Sequence, residues 1–191
     1  NKEITSELGI KKDDFVIGYV ARYDVLKNHR GFLQSCHKLL RFDLERNFKV
    51  LLVGDGLTNE NEEVVELLIE YGLRDNVVLL GYRSDVSRII NILDLAVLFS
   101  WGEAFPNVII ESMMYGKPFL ASNVGDCQYI IGDGGSIVES GDTQDLANHM
   151  RNYMKMDNDT IEELGMRARN RVLTHFTMDI VAENHLDCYS A

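Results

Sequence analysis

The sequence predicts an α/β fold: a doubly wound parallel sheet of about six strands with helices on both faces. Short apolar segments alternate with amphipathic segments along the chain, which is typical of parallel strands joined by right-handed helical crossovers. The apolar segments lack in/out alternation, as expected for strands that are covered on both faces. The 191 residues suit one domain, so we expect a single domain over 1–191.

Six apolar segments are predicted strands. They lie at 15–21, 49–53, 77–80, 95–99, 118–121 and 136–138, and the last is the weakest. Amphipathic segments at 28–41, 60–72, 84–92, 106–115, 142–155, 158–174 and 178–188 are predicted helices. Little strand separates the last three helices. We therefore expect them to pack on the sheet or to reach toward another domain, and the C-terminal helix within 175–191 is the candidate for the second arrangement.

The overall charge argues against polyanionic partners. The chain carries 19 basic and 30 acidic residues, which gives a formal net charge of −11. Such a surface repels phosphate backbones and anionic lipid, so no nucleic-acid partner is expected. A small anionic ligand remains compatible, because a few placed cations can outweigh the global charge locally.

The cysteines and the hydropathy pattern indicate a cytoplasmic protein. Cys36, Cys127 and Cys188 are odd in number and form no Cys-x-x-Cys pair, which disfavours a disulfide framework or a zinc site. There is no signal peptide, and no apolar run approaches the roughly 18 residues that a membrane span needs.

Two cations follow the first predicted strand. Ligands bind outside the carboxyl ends of the strands in such sheets. Arg22 directly follows the strand, and Lys27 stands at the start of the next helix. Arginine offers a planar fork for phosphate oxygens and lysine a point charge. Their position makes them candidates for a phosphate site, although two cations near a loop are more commonly surface charges.

Two carboxylates flank the helix that follows the fourth predicted strand. Glu103 lies in the loop before the helix and Glu111 in its middle. The helix is apolar on nearly every side, so we expect it to be buried and Glu111 to need a hydrogen-bonding partner. That partner is an internal salt bridge, a helix cap elsewhere in the chain, or the hydroxyl groups of a sugar. A helix N-terminus is also a natural anion site.

These segments together resemble the C-terminal domain of retaining glycosyltransferases of family 4, which have the GT-B fold. The family carries two glutamates separated by seven residues, matched by Glu103 and Glu111. It also carries an arginine followed a few residues later by a lysine, matched by Arg22 and Lys27. The segment at 103–107 differs from the family phrase Glu-Gly-Phe-Pro-Asn only by alanine in place of glycine.

The resemblance implies a role for each matched residue. Arg22 and Lys27 would hold the diphosphate and stabilise it as the leaving group. Glu103 would bind hydroxyls of the donor sugar, so these three residues are the implied catalytic residues. Glu111 would hydrogen-bond the ribose hydroxyls.

Further donor contacts are implied at two places. The backbone amides around Phe105, Asn107 and Val108 would contact the sugar and the phosphate. The segment Tyr82-Arg83 would border the nucleotide base.

The implied function is the donor-binding half of a retaining glycosyltransferase. It would transfer a sugar from a nucleotide-diphosphate sugar, with UDP favoured over GDP, to a glycan or a lipid-linked acceptor. The acceptor would bind an N-terminal domain that this sequence does not contain, and any contact with the inner face of a membrane would pass through that half. The fragment alone is expected to be inactive. No metal or other cofactor is implied, since cations and a helix N-terminus can stabilise the departing anion.

Several alternatives stay open or are disfavoured. A nucleotide-sugar-binding module without turnover and an epimerase of the same fold remain open. A nicotinamide-dependent oxidoreductase is disfavoured, because Gly54-Asp55-Gly56 follows the second strand and lacks the third glycine of the dinucleotide fingerprint. A two-component receiver domain is disfavoured by Arg22 and Asn123, which stand where an acidic pair and a lysine are needed.

Three further positions receive weaker predictions. A surface position on the helix is favoured for His29 over a role beside Lys27. Trp101 either lines a sugar pocket or packs the loop. The segment Gly125-Asp126-Cys127 departs from the glycine pair and following glutamate of the family, so it is not predicted as part of the site.

Overall fold

Six parallel strands form one sheet in the computed structural model, which describes residues 2–180 and 182. The strands are β1 (Phe15–Val20), β2 (Phe48–Val53), β3 (Val77–Gly81), β4 (Leu95–Leu98), β5 (Phe119–Ser122) and β6 (Gly135–Val138). Their order is β3-β2-β1-β4-β5-β6, and all neighbouring pairs are parallel. All six predicted strands are confirmed to within one or two residues at their ends.

Helices connect the strands. They are α1 (Lys2–Glu7), α2 (His29–Leu39), α3 (Glu62–Glu70), α4 (Val86–Ile90), α5 (Asn107–Met114), α6 (Cys127–Ile131), α7 (Thr143–Lys155) and α8 (Asn158–His175). A 3-10 turn at Val25–Lys27 precedes α2. Of the predicted helix at 178–188, residues 178–180 and 182 are helical and the rest lies outside the described residues.

Two short helices were not predicted. α1 and α6 contain six and five residues, too few to display a helical period in the sequence. Each is held by tertiary packing instead: Ile4 of α1 is buried, as are Cys127, Ile130 and Ile131 of α6. Helices this short thus form because tertiary packing stabilises them, and the local sequence pattern does not predict them.

The helices cover both faces of the sheet. The connections after β1 and after β4 lead in opposite directions across the sheet, so right-handed crossovers place α2 and α5 on opposite faces. α7 packs on α2, and α8 packs on α5. The predicted doubly wound architecture is therefore confirmed. Of the two long C-terminal helices, α7 also contacts β6, whereas α8 packs mainly on the helices α5 and α6.

The strand order reverses between β1 and β4. These strands are neighbours, with Ile17 opposite Leu95 and Gly18 opposite Ala96. The segments that follow β1 and β4 turn to opposite faces of the sheet, which opens a crevice at the carboxyl ends of these strands. Residues just after β1 and β4 therefore border the crevice where ligands bind in such sheets.

None of the helices in the described part of the chain is long and apolar enough to cross a membrane.

Candidate functional site

Lys27 and Glu103 form an ion pair across the crevice. The Lys27 Nζ lies 2.6 Å from Glu103 Oε1, with side-chain exposures of 23% and 8%. The same oxygen accepts a hydrogen bond of 2.6 Å from the Ser100 hydroxyl. Glu103 Oε2 has no hydrogen-bond partner among residues 2–180 and 182. The structure thus brings together two of the predicted site residues and leaves one carboxylate oxygen open.

Tyr19 joins the two loops that carry this pair. Its side chain is fully buried, and its hydroxyl donates to the Lys27 carbonyl while accepting from the Phe99 amide at 3.0 Å. Burial raises the pKa of Tyr19 well above its ordinary value, so the phenol stays protonated. Tyr19 is not among the site residues predicted from the sequence. Its signal was a phenol inside an apolar strand, where a buried hydroxyl needs a partner.

The turn before α2 fixes the position of Lys27. The Asp24 side chain accepts a hydrogen bond of 2.8 Å from the Leu26 amide and caps the 3-10 turn. Asn28 follows in the left-handed conformation, with φ 49°, and its side chain accepts from the Gly31 amide at 3.1 Å. Asparagine tolerates this conformation better than most residues. The chain therefore reverses at Lys27 and directs it to the crevice.

Arg22 lies apart from the ion pair. Its side chain is 72% exposed, and its guanidinium lies 3.3 Å from Asp24 Oδ2. An exposed pair of this kind holds its partners only loosely. Arg22 therefore remains available to an anionic ligand, whereas Lys27 is already engaged with Glu103.

The N-terminus of α5 opens at the same edge of the sheet. Pro106 occupies the N-cap position with φ −77° and ψ 100°, and it provides no side-chain cap. Within the described chain, the amides of Asn107 and Val108 have no hydrogen-bond partner. Uncapped amides and the helix dipole attract negative charge. The exposed ring of Phe105 packs edge-on against Phe176, with 6.2 Å between the ring centroids.

The predicted burial of Glu111 is wrong. Glu111 is exposed and lies on one stripe of α5 with Asn107 and Tyr115, which are also exposed. The buried side of the helix is formed by Ile109, Ser112 and Met113. Side chains four residues apart share a helix face, so a polar stripe was present in the sequence. Glu111 has no partner in the described part of the chain, which rules out the internal salt bridge there.

The segment after β3 offers a free ring and an engaged guanidinium. Tyr82 is 79% exposed. Arg83 binds Asp85 through two hydrogen bonds, Nε to Oδ1 at 2.7 Å and Nη2 to Oδ2 at 2.8 Å. This contact raises the pKa of Arg83 and lowers the pKa of Asp85. Of the two predicted base-site residues, Tyr82 is the one with an unengaged side chain.

The loop after β5 supports the backbone around Glu103. Gly125 has φ 51°, and a Cβ on it would lie 2.2 Å from the Glu103 carbonyl oxygen. The Asp126 amide donates to the Ala104 carbonyl at 3.0 Å. The sequence pattern indicated no role for this segment. Only the fold shows the contact, because it joins residues about twenty positions apart.

The preference for a surface position of His29 is wrong. Only 2% of His29 is exposed, and its ring lies between Tyr19 and Tyr23, 5.0 and 5.3 Å from their centroids. Burial lowers the pKa of His29 to about 4, against the opposing effect of Asp24. Although the Asp24 main chain is near enough to favour protonation, neither ring nitrogen reaches a partner with hydrogen-bond geometry among the residues described.

Two further findings concern cysteines and metal ligands. Cys36 and Cys127 are buried free thiols, and Cys188 lies outside the described residues. Within 2–180 and 182, no three His, Cys, Asp or Glu side chains converge as metal ligands.

Comparison with known proteins decides the family. The family described as "Glycosyl transferases group 1" matches residues 1–171. The chain belongs to this glycosyltransferase family. The resemblance drawn from Arg22, Lys27, Glu103 and Glu111 is thereby confirmed at the level of the family, while the role of each residue stays a prediction.

Curated relatives of this chain are roughly twice its length. It is 28% identical over 189 residues to N-acetyl-alpha-D-glucosaminyl L-malate synthase from Bacillus anthracis, covering 98% of this chain and 48% of that protein. It is 29% identical over 194 residues to D-inositol 3-phosphate glycosyltransferase from Nocardia farcinica, covering 97% and 42%. The chain thus spans about half the length of the curated relatives it matches.

Solved structures share the fold of the group 1 chain. A glycosyltransferase from Rickettsia africae superposes with a TM-score of 0.87 at 24% identity, covering 98% of this chain and 50% of that one. HepE from Anabaena, solved in complex with UDP-glucose, superposes with a TM-score of 0.84 at 24% identity, covering 99% and 52%. At this identity the likeness establishes the fold.

Proposed function

We propose that this chain is the donor-binding half of a retaining glycosyltransferase that uses a nucleotide-diphosphate sugar. The observation that carries the proposal is the Lys27–Glu103 pair, which lies in the crevice where the strand order reverses. A cation, a carboxylate with one open oxygen and an uncapped helix N-terminus meet there. These groups suit a ligand that has a diphosphate and a hydroxylated sugar.

The cations and the helix N-terminus stabilise the leaving group in this proposal. Arg22 and Lys27 contact the diphosphate, and the amides of Asn107 and Val108 add hydrogen bonds. Negative charge on the departing phosphate grows toward the transition state, so fixed donors at that position lower the barrier. We propose that these groups suffice without a metal ion.

The two carboxylates divide the remaining parts of the donor. Glu103 accepts hydrogen bonds from the sugar hydroxyls through its open Oε2, while Oε1 stays with Lys27 and Ser100. Glu111 accepts from the ribose hydroxyls, for which its exposed carboxylate is free. Phe105 lies in the loop beside the sugar, and Tyr82 and Arg83 border the base.

Retention follows from attack on the face from which the phosphate departs. The bond from the anomeric carbon to the phosphate oxygen breaks as the acceptor oxygen bonds to that carbon on the same face. The departing phosphate accepts the proton of the acceptor hydroxyl. This step needs no protein base, because the phosphate oxygen takes the proton.

Known relatives support UDP as the donor nucleotide. HepE has been solved with UDP, with UDP and glucose, and with UDP-glucose. A curated relative from Escherichia coli, 25% identical, is a UDP-Gal:alpha-D-GlcNAc-diphosphoundecaprenol alpha-1,3-galactosyltransferase. We propose UDP first and GDP second, a glycan or lipid-linked acceptor, and a cytoplasmic site of action with any membrane contact made through the other half.

Titration calorimetry with UDP and GDP, with and without chelator, tests the donor site. We expect UDP to bind more tightly than GDP and to bind equally well with chelator. Glu111→Gln should weaken UDP binding roughly tenfold, the value of one charge-assisted hydrogen bond of about 1.5 kcal/mol. Glu66→Gln, at an exposed glutamate of α3, is the matched control and should bind UDP normally. Loss of UDP binding on chelation would contradict the metal-independent site.

A further inference from the structure

A cavity lies next to the two loops that carry the ion pair, on the α2 side of the crevice. It has a volume of about 290 Å³, near the lower limit of about 300 Å³ for small-molecule pockets. We call it the Trp101 cavity. The side chains that give it its chemistry are those of Tyr23, Asp24, His29, Arg30, Glu63 and Trp101. None of them is among the residues proposed above to hold the nucleotide or the donor sugar.

Three nitrogens on two buried side chains of this cavity lack hydrogen-bond partners in the described chain. His29 and Asn28 are 98% and 93% buried, and both line the cavity. Neither ring nitrogen of His29, nor Asn28 Nδ2, has a hydrogen-bond partner among residues 2–180 and 182. Buried polar atoms are nearly always paired, so each unpaired one needs an explanation. A polar ligand in the adjoining cavity explains both.

The charges of the cavity select against an anion. The carboxylates of Asp24 and Glu63 line it, and the guanidinium of Arg30, which also lines it, lies 3.6 Å from Glu70. His29 is neutral at physiological pH, because burial lowers its pKa to about 4. Tyr23 also stays neutral, because burial and the Glu63 carboxylate raise its pKa to about 12. Carboxylates with a neutral imidazole and a neutral phenol suit a ligand rich in hydroxyl groups.

Trp101 supplies an aromatic surface to the same cavity. Its amide donates to the Leu26 carbonyl at 2.8 Å, and its indole lies against Gly141, where a Cβ would come within 2.6 Å of the ring. Trp101 is nevertheless 52% exposed. Aromatic rings favour ligands that are partly apolar and partly polar. A pyranose fits this description, because its C–H face is apolar and its rim carries hydroxyls.

We propose that the Trp101 cavity binds one neutral pyranose unit of the acceptor, stacked on Trp101 and hydrogen-bonded to Glu63 and Asp24. This inference rests on the proposed function. It places part of the acceptor site on the same chain as the donor site, beside the turn that carries Lys27. Trp101 stands two residues before Glu103 in the loop after β4, so the cavity adjoins the position proposed for the donor sugar.

Trp101 is the single tryptophan of the chain, so its fluorescence reports on the cavity directly. The full chain is titrated with methyl α-glucoside, methyl α-galactoside and methyl N-acetyl-α-glucosaminide, each with and without saturating UDP. We expect at least one of these sugars to change the emission saturably, with a dissociation constant of about a millimolar. Glu63→Gln should weaken that sugar at least about tenfold, the value of one charge-assisted hydrogen bond.

Glu62→Gln is the matched control, because Glu62 stands beside Glu63 in the first turn of α3 but does not line the cavity. This variant should bind the sugar as the parent does, and both variants should bind UDP normally. Absence of a saturable response to all three sugars overturns the inference, as does a response that Glu63→Gln leaves unchanged. A response abolished by UDP-glucose but not by UDP would assign the cavity to the donor sugar and overturn the acceptor assignment. Failure of the proposed function itself would be distinguishable, because the parent chain would then not bind UDP.

Discussion

Glu103 is the residue whose substitution best separates the parts of the donor. It contacts Lys27 and Ser100 through one oxygen and leaves the other oxygen open. In the full-length enzyme, we expect Glu103→Ala to leave UDP affinity within about a factor of three, since the nucleotide does not use this side chain. Turnover of the sugar donor should fall about ten- to a hundredfold, which corresponds to about 1.5–3 kcal/mol.

Calorimetry with UDP and steady-state kinetics with the sugar donor measure these two effects. The matched control is Glu139→Ala, at a carboxylate whose one hydrogen bond in the described chain comes from Asn123. Normal sugar transfer by Glu103→Ala would disprove the role taken from the family.

His29 gives the folded chain a dependence on acid. Its pKa is about 4 in the folded state against 6.5 for the free side chain, and the nearby charges are Asp24 and Lys27. Between these values the unfolded chain binds a proton that the folded chain does not, so stability falls as pH drops below 6.5. The loss from this residue should be about 2 kcal/mol at pH 5.

The pH dependence of unfolding in urea, compared between the parent chain and His29→Phe, isolates this contribution from the carboxylates. We expect the parent to lose about 2 kcal/mol more than His29→Phe between pH 7 and pH 5. His149→Gln, at a half-exposed histidine of α7, should behave as the parent does. Identical slopes for the parent and His29→Phe would show that His29 titrates normally.

At the scale of elements, the loop after β5 acts as a support for the loop after β4. Gly125 combines a left-handed backbone with a contact to the Glu103 carbonyl, where a Cβ would lie at 2.2 Å. Gly125→Ala should therefore lower the free energy of unfolding for two reasons. The left-handed conformation costs about 1–2 kcal/mol, and the overlap adds about 1–3 kcal/mol unless the Glu103 loop moves.

Two glycines provide controls for Gly125→Ala. Gly72 has φ 65° but no atom near its missing Cβ, so Gly72→Ala measures the backbone cost alone. Gly102 lies beside Glu103, has no left-handed backbone and has open space around it, so Gly102→Ala should cost little. Free energies of unfolding for the three variants should rank Gly125 above Gly72 above Gly102. Equal costs at Gly125 and Gly72 would mean that the two loops do not support each other.

The strands were predictable because each of the six is a continuous apolar segment. A parallel strand covered on both faces needs apolar residues at every position, so this pattern alone indicates it. The burial of Glu111 was predicted wrongly because the apolar residues of α5 were counted without assigning them to faces of the helix. Asn107, Glu111 and Tyr115 are spaced four apart and form its exposed stripe. The support from Gly125 and the bridge from Tyr19 depend on contacts between distant segments. The sequence pattern contains the residues but not those contacts.

At the scale of the whole molecule, the sheet and both helical layers are formed by this chain itself. A continuous core of buried residues joins the sheet to the helices on each face. We therefore expect the chain to fold on its own and to bind the donor nucleotide. We also expect no sugar transfer from the purified chain, because the proposed reaction needs the other half to present an acceptor.

Circular dichroism and a coupled assay of UDP release with added acceptor test these two expectations. Adding the acceptor half in trans should restore transfer, and the Glu103→Ala chain should remain inactive in the same mixture. Measurable transfer by the purified chain alone would overturn the proposed division of labour.

The hydroxyl of Tyr19 has a consequence for how such a protein can evolve. Because one buried oxygen binds both the Lys27 carbonyl and the Phe99 amide, it ties the loop with the cation to the loop with the carboxylate, in addition to the Trp101–Leu26 bond and the Lys27–Glu103 pair. A loop that moved outward to admit a bulkier sugar would lose its bond to Tyr19 and leave a buried hydroxyl without that partner. We therefore expect changes of donor preference to come from substituted side chains on loops whose backbones stay in place. A lineage that loses the phenol would have to reshape both loops together.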